Sequence, residues 1–354
     1  MRICYLAPIK SVHSQKIFQF FKDSGHDVQV ITFEDNENKE PYIHNIPDKN
    51  SFLSKLSSVR KIVDKISPDI LHAHQVIGYG MWGALSKYHP LVISPWGSDI
   101  EVLAKVSYFN KSIAKYVLRK ADKVHVSSDC MAKTVMELGC PKGKIFKKVM
   151  GVDIKSFHPS ASSTKIRQEI GGSHMVISIR TLTDTYRVDI LIKAVPDIVK
   201  KYPNARFVII GDGDRRKMLE KLSKEKNVSE NILFFGRKNR EEIPAYLATS
   251  DLYVDTCPTS AGISIGMLEA MACSLPMIIV STPGVDEAIE NGVSGLICPQ
   301  NNPKELSHMI IQQLSNESKM KQMGIAARKR VEEIGDMNQN FTELSKMYES
   351  LLKD

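Results

Sequence analysis

An acidic residue stands alone in an apolar stretch in the second half of the chain. In the segment SAGISIGMLEAMACSLPMIIV, residues 260–280, Glu269 is the one acidic residue, and Leu268 and Ala270 flank it. The pattern predicts a loop, a short helix and a buried strand. A carboxylate among apolar neighbours requires hydrogen-bond donors. A bound ligand with hydroxyl groups would supply them, and the alternative is a surface glutamate that the helix dipole favours.

The loop before this helix has the composition of an anion-binding turn. Gly262 allows a ligand to approach the backbone closely, and Ser264 is a favourable N-cap. The backbone N–H groups of Gly262, Ile263 and Ser264 would therefore point toward a phosphate or another oxygen-rich group. A plain strand-to-helix turn uses the same residue types and remains the alternative.

A second charged residue, Arg180, ends the apolar run HMVISIR at 174–180. In open parallel sheets, ligands bind beyond the carboxyl ends of the strands, which is where this side chain would lie. A guanidinium can bind a diphosphate through two parallel hydrogen bonds. An ion pair at the strand end is the alternative interpretation.

Polar side chains also follow apolar runs in the first half of the chain. His72 and His74 alternate with apolar residues at the end of one run, so both project from the same side. No third ligand with suitable spacing lies nearby, and we assign no metal site. Asp99 could accept a proton from a hydroxyl, or act as N-cap of the helix that follows it. The residues assigned to this second region are His13, His74, Trp96, Gly97, Ser98 and Asp99.

The segment NKSIAKYVLRKADK, residues 110–123, combines basic residues with an apolar stripe at helical spacing. The default interpretation is a solvated face above a packed stripe. The alternative is a helix that contacts anionic lipid headgroups. The basic residues are Lys111, Lys115, Arg119, Lys120 and Lys123.

Alternating apolar runs and helix-length segments must position all of these residues. The alternation begins with RICYLA at 2–7, repeats through the first half, and starts again with HMVISI at 174–179. It predicts parallel sheets covered by helices. Glycine, proline and serine cluster where the two sets meet, at 151–165. We therefore predict an α/β fold of two doubly wound, Rossmann-like domains facing a central cleft, with the ranges 1–155 and 156–335 and a helix at 336–354 that packs on the first domain.

Composition agrees with a two-domain intracellular protein. The chain has 354 residues and a formal net charge of +8, which favours anionic partners such as nucleotides or lipid headgroups. Its six cysteines are scattered without a CxxC pair, so a reducing cytosol fits better than a disulfide framework or a zinc site. No apolar run reaches the roughly 20 residues that a membrane span needs, and we expect no signal peptide.

Several of these segments together resemble the retaining glycosyltransferase family four. The resemblance is carried in the second half by RTLTDTYRVDILIKA (180–194), IIGDGDRRKMLEKL (209–222) and the motif from SIGMLEAMA to SGLIC (264–298). The segments DILHAHQVIGYG (69–80), PWGSDI (95–100) and MGVDIKSFHP (150–159) are similar to segments at matching places in the first half. The resemblance covers essentially the whole chain. It implies a GT-B fold, a nucleotide-sugar donor and retention at the anomeric carbon.

The resemblance also implies roles in the second domain. Glu269 would hold the ribose and Arg180 the diphosphate of the donor. Gly236 and Arg237 lie where the family's backbone meets the nucleobase, and Asp212 in the GDGD turn is similarly placed.

Four positions depart from the family pattern. Ala261 stands where the family usually has an acidic residue close to the donor sugar, and Ser274 stands where it usually has glycine. Tyr186 and Arg187 take the places of the family's lysine and glycine. Arg187 would supply the second charge on the diphosphate or point to solvent. Alanine at 261 can neither hold a sugar hydroxyl nor stabilise positive charge.

The implied function is retaining transfer of a sugar from a UDP- or GDP-sugar to a glycan or lipid-linked acceptor, without an obligatory metal or cofactor. The first domain would bind the acceptor, and the reacting groups would be contacted by Arg180, Glu269, Asp99 and His13. We expect cell-surface polysaccharide or glycan biosynthesis in the cytoplasm or at the inner face of the membrane, and no nucleic acid partner. A non-catalytic nucleotide-sugar-binding relative and a GT-B-fold epimerase are the alternatives.

Overall fold

The structure is a computed structural model that describes residues 1–36, 40–258 and 263–353. The chain divides into unit 1, Met1–Met150 with Asn338–Asp354, and unit 2, Gly151–Met337. The first division falls at Met150, before the predicted boundary at 155. The reason is local, because the N–H of Val152 donates to the carbonyl of Gly335 at 2.8 Å and the carbonyl of Val152 accepts from the N–H of Met337 at 3.1 Å. These bonds tie the start of the predicted linker to the end of unit 2.

Unit 1 contains a parallel sheet whose inner strands are almost wholly buried. Within the described residues the sheet has seven strands in the order β3-β2-β1-β4-β5-β6-β7. The three-residue edge strand β3 is absent from the sequence-based prediction because it is too short and too exposed to show a period. The strands are β1 (Arg2–Leu6), β2 (Asp27–Thr32), β3 (Ile43–Asn45), β4 (Ile70–His74), β5 (Leu91–Ser94), β6 (Lys123–Val126) and β7 (Ile145–Lys147).

Helices connect most of these strands, since parallel pairing needs a crossover connection, whereas β3 follows β2 directly in the order of described elements. Between β5 and α5 the chain forms a π-helical turn, Asp99–Leu103, and a single helical turn, α4. The helices of this part are α1 (Val12–Asp23), α2 (Phe52–Ile66), α3 (Tyr79–Ser86), α4 (Ala104–Val106), α5 (Tyr108–Lys120) and α6 (Asp129–Glu137).

Unit 2 also contains a parallel sheet, whose described strands have the order β10-β9-β8-β11-β12-β13. Its apolar core joins the sheet to the flanking helices through side chains such as Phe207, Leu191 and Ile310. The strands are β8 (Met175–Ile179), β9 (Arg206–Ile210), β10 (Ile232–Gly236), β11 (Leu252–Asp255), β12 (Met277–Val280) and β13 (Leu296–Cys298). The helices are α7 (Thr164–Ile170), α8 (Val188–Lys201), α9 (Arg216–Glu225), α10 (Ile243–Thr249), α11 (Ile265–Ala272), α12 (Pro303–Leu314) and α13 (Glu317–Ile334).

The last helix, α14 (Met337–Leu351), belongs almost entirely to unit 1. Its apolar face is buried there, because Phe341 lies 5.2 Å from Phe20 between ring centroids and Tyr348 lies 5.4 Å from Phe21. The hydroxyl of Tyr348 also contacts Nδ1 of His72 at 2.5 Å. The helix is therefore a part of the core of unit 1. Among the described residues, no helix combines the length and the apolar character that crossing a membrane would demand.

Candidate active site

Two buried charges meet where β8 and β11 end in unit 2. Because β8 and β11 are paired neighbours, Arg180 and Asp255 lie side by side beyond the sheet. Nε of Arg180 donates to Oδ1 of Asp255 at 3.0 Å, and a second guanidinium nitrogen contacts Oδ2 of the same carboxylate. The side chains are only 13% and 2% exposed. Burial alone would lower the pKa of Arg180, but the charge and hydrogen bonds of Asp255 outweigh it and raise that pKa.

Arg180 therefore forms an ion pair at the end of its strand, which is the alternative interpretation of this residue in the sequence analysis. Arg180 also donates to Oγ of Ser264 at 2.7 Å and lies over the ring of Tyr186, 5.5 Å from its centroid. Three groups therefore fix the guanidinium before any ligand binds. Sequence reasoning missed Asp255, since DLYVD at 251–255 has only the pattern of a buried strand.

Ser264 begins the helix that carries the candidate ribose ligand. Its Oγ accepts from the N–H of Met267 at 3.3 Å, so it is the N-cap of α11, as predicted. Ile263 and Ser264 are half-buried at this helix N-terminus. The neighbouring positions Ala261 and Gly262 lie outside the described residues.

Glu269 is buried on α11, which rules out the surface-glutamate interpretation. The residue is 7% exposed, and its Oε1 accepts from a guanidinium nitrogen of Arg240 at 3.2 Å. Arg240 follows β10 and lies 5.5 Å from the ring centroid of Phe157. The helix also packs tightly on β11, because a Cβ at Gly266 would lie 2.9 Å from the hydroxyl of Tyr253. Sequence reasoning identified Glu269 but missed Arg240, which lies 29 positions away in the chain.

A second group of residues lies at the ends of β9 and β10. Asp212 accepts from the N–H of Gly213 at 2.8 Å and from Arg216 at 3.2 Å. Arg216 also donates to the carbonyl of Phe234 at 3.3 Å and so links α9 to β10. Gly236 is buried and its carbonyl accepts from the N–H of Gly211 at 2.8 Å. The structure therefore brings Asp212 and Gly236 together, whereas the following residue, Arg237, is exposed.

The loops after β8 and β9 cross in close contact. A Cβ at Gly211, where φ is +138°, would lie 1.9 Å from the carbonyl oxygen of Arg180. The N–H of Arg180 donates to the carbonyl of Ile210 at 3.0 Å, and the N–H of Leu182 donates to the carbonyl of Asp212 at 3.1 Å. Only glycine fits at this crossing, which fixes the loop of Arg180 to the loop of Asp212.

Arg187 lies in an ion pair that the sequence did not predict. Its guanidinium contacts Asp189 at 2.9 and 3.3 Å and Asn301 at 2.5 Å. The hydrogen bond to Asp189 is the main cause that raises the pKa of Arg187. The residue has φ of 48° immediately before α8, a left-handed conformation that glycine would adopt at lower cost. The structure thus holds Arg187 in an ion pair beside α8.

In unit 1, the carboxylate of Asp99 accepts hydrogen bonds from backbone N–H groups. It is 2% exposed and accepts from the N–H of Val76 at 2.5 Å and from the N–H of Trp96 at 2.9 Å. Burial raises its pKa, against the effect of these backbone hydrogen bonds. Asp99 is not an N-cap, because Ser98 precedes the π-helical turn and Asp99 is its first residue. Its contacts join the loops that follow β4 and β5.

The other candidate residues of unit 1 form an aromatic group around Trp96. Its ring lies 5.4 Å from that of His13 and 5.6 Å from that of His74, measured between centroids. Nδ1 of His74 contacts Oγ of Ser14 at 3.1 Å. The rings of His72 and His74 lie 5.1 Å apart, on the same side of β4 as predicted. In the described part of the chain, no group of three or more His, Cys, Asp or Glu side chains is placed to bind a metal ion.

Buried histidines give unit 1 a predictable dependence on pH. Burial lowers the pKa of His74 to about 3 and that of His125 to about 4 from the ordinary value of 6.5. The unfolded chain therefore binds more protons than the folded chain between those values, and stability falls as the pH decreases through this window. We expect the free energy of unfolding to drop by about 1 kcal/mol per histidine between about pH 7 and pH 5.5.

Urea unfolding at the two pH values measures this effect. The variant His125→Gln should show a smaller drop than the unmodified chain, since it removes one of three buried histidines whose pKa is lowered, the third being His72. Equal stability of the unmodified chain at both pH values would contradict the assignment of neutral, buried histidines.

Comparison with known proteins agrees with this architecture. The family model for glycosyl transferases group 1 matches residues 162–330, and the model for glycosyl transferase 4-like proteins matches residues 2–128. An uncharacterised glycosyltransferase of Methanocaldococcus jannaschii is 27% identical over 89% of this chain and 87% of its own length. The alpha-monoglucosyldiacylglycerol synthase of Acholeplasma laidlawii is 23% identical over 80% of each protein.

Among solved structures, HepE of Anabaena in complex with UDP superposes with a TM-score of 0.87 at 20% identity, covering 99% of this chain and 100% of HepE. This likeness extends over both units and establishes the two-domain GT-B fold. The two family models together span most of the chain, including every described residue of the sites above in both units. The chain is therefore a glycosyltransferase that belongs to the group 1, family-four-like glycosyltransferases of GT-B fold.

Proposed function

We propose that this chain transfers a sugar, with retention at the anomeric carbon, from a nucleotide diphosphate sugar to a hydroxyl of a glycan or lipid-linked acceptor. The observation that carries the proposal is the burial of Glu269 on α11, the helix whose first turn contacts the Arg180–Asp255 pair through Ser264. The complexes of HepE with UDP and with UDP-glucose support a nucleotide sugar as the donor.

In this proposal the donor is held at the edge of the unit 2 sheet. The carboxylate of Glu269 accepts hydrogen bonds from the two ribose hydroxyls. The diphosphate binds at the N-terminus of α11, where the N–H groups of Ile263 and Ser264 and the guanidinium of Arg180 carry positive charge. Asp212 and Gly236 lie together where the nucleobase would bind. Asp255 contributes by keeping Arg180 in one orientation, so little side-chain entropy remains to be lost on binding.

The proposed reaction needs no nucleophile from the protein. The bond between the anomeric carbon and the diphosphate oxygen breaks, and the electron pair stays on the diphosphate. The acceptor oxygen then bonds to the same face of the sugar and passes its proton to the departing diphosphate. Charge grows on the diphosphate as the bond breaks, which is where Arg180 and the backbone N–H groups act. The proposal assigns no step to a metal ion.

The acceptor side of the proposal rests on His13 and Trp96 in unit 1. A flat aromatic face beside a half-buried imidazole suits a sugar ring with several hydroxyls. The structure gives Asp99 a different part, since both of its oxygens accept backbone N–H groups. It positions the loop that carries Trp96.

Ala261 favours a second candidate function, a GT-B relative that binds nucleotide sugars without transferring them. The family's acidic residue at this place would contact the donor sugar, whereas the groups that hold nucleotide and diphosphate are retained. A thermal-shift screen with UDP, GDP, ADP and their sugars identifies the ligand first, because a ligand at 100 times its dissociation constant adds roughly 2.7 kcal/mol of stability.

Donor turnover with the ligand so identified then separates the two functions. We expect the unmodified chain to hydrolyse or transfer the sugar, and Ala261→Glu to lower turnover of the same donor by at least about tenfold. An added carboxylate without a partner costs on the order of a few kcal/mol when it is desolvated. An unmodified chain that is silent with every nucleotide sugar it binds, beside an Ala261→Glu variant that gains transfer, would establish the non-catalytic relative.

A further inference from the structure

A short stretch of unit 1 exposes large apolar side chains. Val106, Tyr108 and Phe109 are 69%, 87% and 72% exposed, and Val102 and Leu103 are almost half exposed. Scattered single apolar residues are normal on protein surfaces, but a contiguous set indicates a binding surface. We call this stretch, residues 102–109, the apolar segment.

The apolar segment is held firmly by its neighbours. Ile100 and Ala104 are buried at its start, and Nδ2 of Asn110 donates to the carbonyl of Leu103 at 3.0 Å. Ser107 caps α5, since its Oγ accepts from the N–H of Asn110 at 3.1 Å. The exposed side chains therefore project from a backbone that is already folded, so the segment does not have to fold when it binds a partner.

From residue 102 to residue 121 the charged side chains are all basic, and Glu101 directly precedes this stretch. Residues 102–121 contain five basic residues and no aspartate or glutamate. On α5 the side chains of Ala114, Val117 and Leu118 are buried, and Tyr116 is exposed among the basic residues. The basic residues are Lys105, Lys111, Lys115, Arg119 and Lys120.

We propose that the apolar segment and the exposed face of α5 form a surface that binds an anionic lipid bilayer, with Tyr108 and Phe109 entering the interface and the basic residues contacting the headgroups. Aromatic side chains favour the boundary between headgroups and acyl chains, and basic residues add attraction to anionic lipids. The lipid contact extends the proposed function by placing the acceptor at a membrane, but it does not depend on sugar transfer.

The charge pattern argues against a second copy of the chain as the occupant. A symmetric contact through this surface would place five basic residues against the same five, with Glu101 as the one acidic residue adjoining the stretch in sequence before it. An anionic bilayer supplies both the negative charge and the apolar layer. The structure also changes the sequence-based hypothesis. The exposed apolar side chains lie between Val102 and Phe109, before α5 and in its first turn, whereas the apolar stripe further along the helix is buried.

Flotation of the full chain with two kinds of vesicle tests the proposal. One kind contains phosphatidylcholine alone, and the other contains equal parts of phosphatidylcholine and phosphatidylglycerol. We expect binding to the anionic vesicles at low salt. The double variant Tyr108→Ser and Phe109→Ser should bind at least about tenfold more weakly, since each buried aromatic side chain contributes on this scale. The double variant Lys111→Gln and Lys115→Gln should also bind more weakly, and its deficit should disappear at high salt.

A matched control removes exposed apolar side chains elsewhere. Leu53 and Ile325 are 76% and 59% exposed, and Leu53→Ser with Ile325→Ser should bind vesicles like the unmodified chain. The proposal is overturned if the unmodified chain fails to float with anionic vesicles at low salt. It is equally overturned if the control loses as much binding as the Tyr108 and Phe109 variant, or if that variant instead abolishes a dimer seen by size exclusion.

Nucleotide affinity, measured in the same proteins, separates this proposal from the proposed function. None of the substituted residues belongs to the donor site described in unit 2. Variants that lose vesicle binding but keep nucleotide binding support the lipid surface. An unmodified chain that binds vesicles but no nucleotide would leave the lipid surface standing and contradict the donor assignment.

Discussion

Asp255→Ala is expected to lower the free energy of unfolding by about 3–5 kcal/mol, the range seen when one partner of a buried ion pair is removed. Asp255 is 2% exposed and holds the guanidinium of Arg180 through two contacts. Without the carboxylate, a buried positive charge loses its counter-ion and keeps two of the neighbours described above, the hydroxyl of Ser264 and the ring of Tyr186. Urea unfolding at neutral pH measures the loss.

A surface pair provides the control for this prediction. Asp197 and Lys200 contact each other at 2.7 Å on α8, with side chains 49% and 75% exposed. Asp197→Ala should therefore leave stability almost unchanged, because exposed ion pairs contribute little. Equal losses from Asp255→Ala and Asp197→Ala would mean that the Arg180–Asp255 pair is not the buried, mutually dependent unit described above.

Glu269→Ala is expected to weaken nucleotide binding by about 10- to 100-fold, the equivalent of roughly 1.5–3 kcal/mol for charged hydrogen bonds. If the carboxylate accepts both ribose hydroxyls, alanine leaves those hydroxyls without their charged acceptor. The loss should appear with UDP and GDP alike, because the ribose is common to both. Calorimetric titration with each nucleotide gives the dissociation constants.

Glu305→Ala is the matched control, since this half-exposed glutamate lies in the first turn of α12. It should retain the affinity of the unmodified chain. A folded Glu269→Ala protein with unchanged affinity for both nucleotides would remove the ribose assignment. In that case the buried carboxylate would serve only to hold Arg240, and the variant would lose stability without losing ligand.

Local patterns in the sequence predicted most of the elements of both sheets. Glu269 was also identifiable, because a carboxylate between Leu268 and Ala270 breaks an apolar pattern and requires a partner. The partners themselves were not predictable from local patterns. Asp255 lies 75 positions from Arg180, and the two meet only because β8 and β11 are neighbours in the sheet.

The interpretation of Asp99 as an N-cap was wrong because local patterns do not show contacts with distant residues. An aspartate before an apolar run is typical of an N-cap, but the partner that decides its position is the N–H of Val76, 23 positions earlier. Arg187 is similar, since Asn301 reaches it from 114 positions away. Periodicity in the sequence predicts the structure of a single element. The positions of these side chains depend instead on contacts between two elements that are distant in the chain.

The contribution of α14 to unit 1 has a consequence for the order of events during synthesis. The rings of Phe341 and Tyr348 complete a core whose other members, such as Phe20 and Phe21, lie near the start of the chain. Residues 151–337 must be translated between them, which takes roughly 10–40 s at ordinary ribosomal rates. During that interval unit 2 can fold, while the first 150 residues still expose the apolar surface that α14 later covers. The part of the protein that is made first therefore cannot complete its core until α14 has been made.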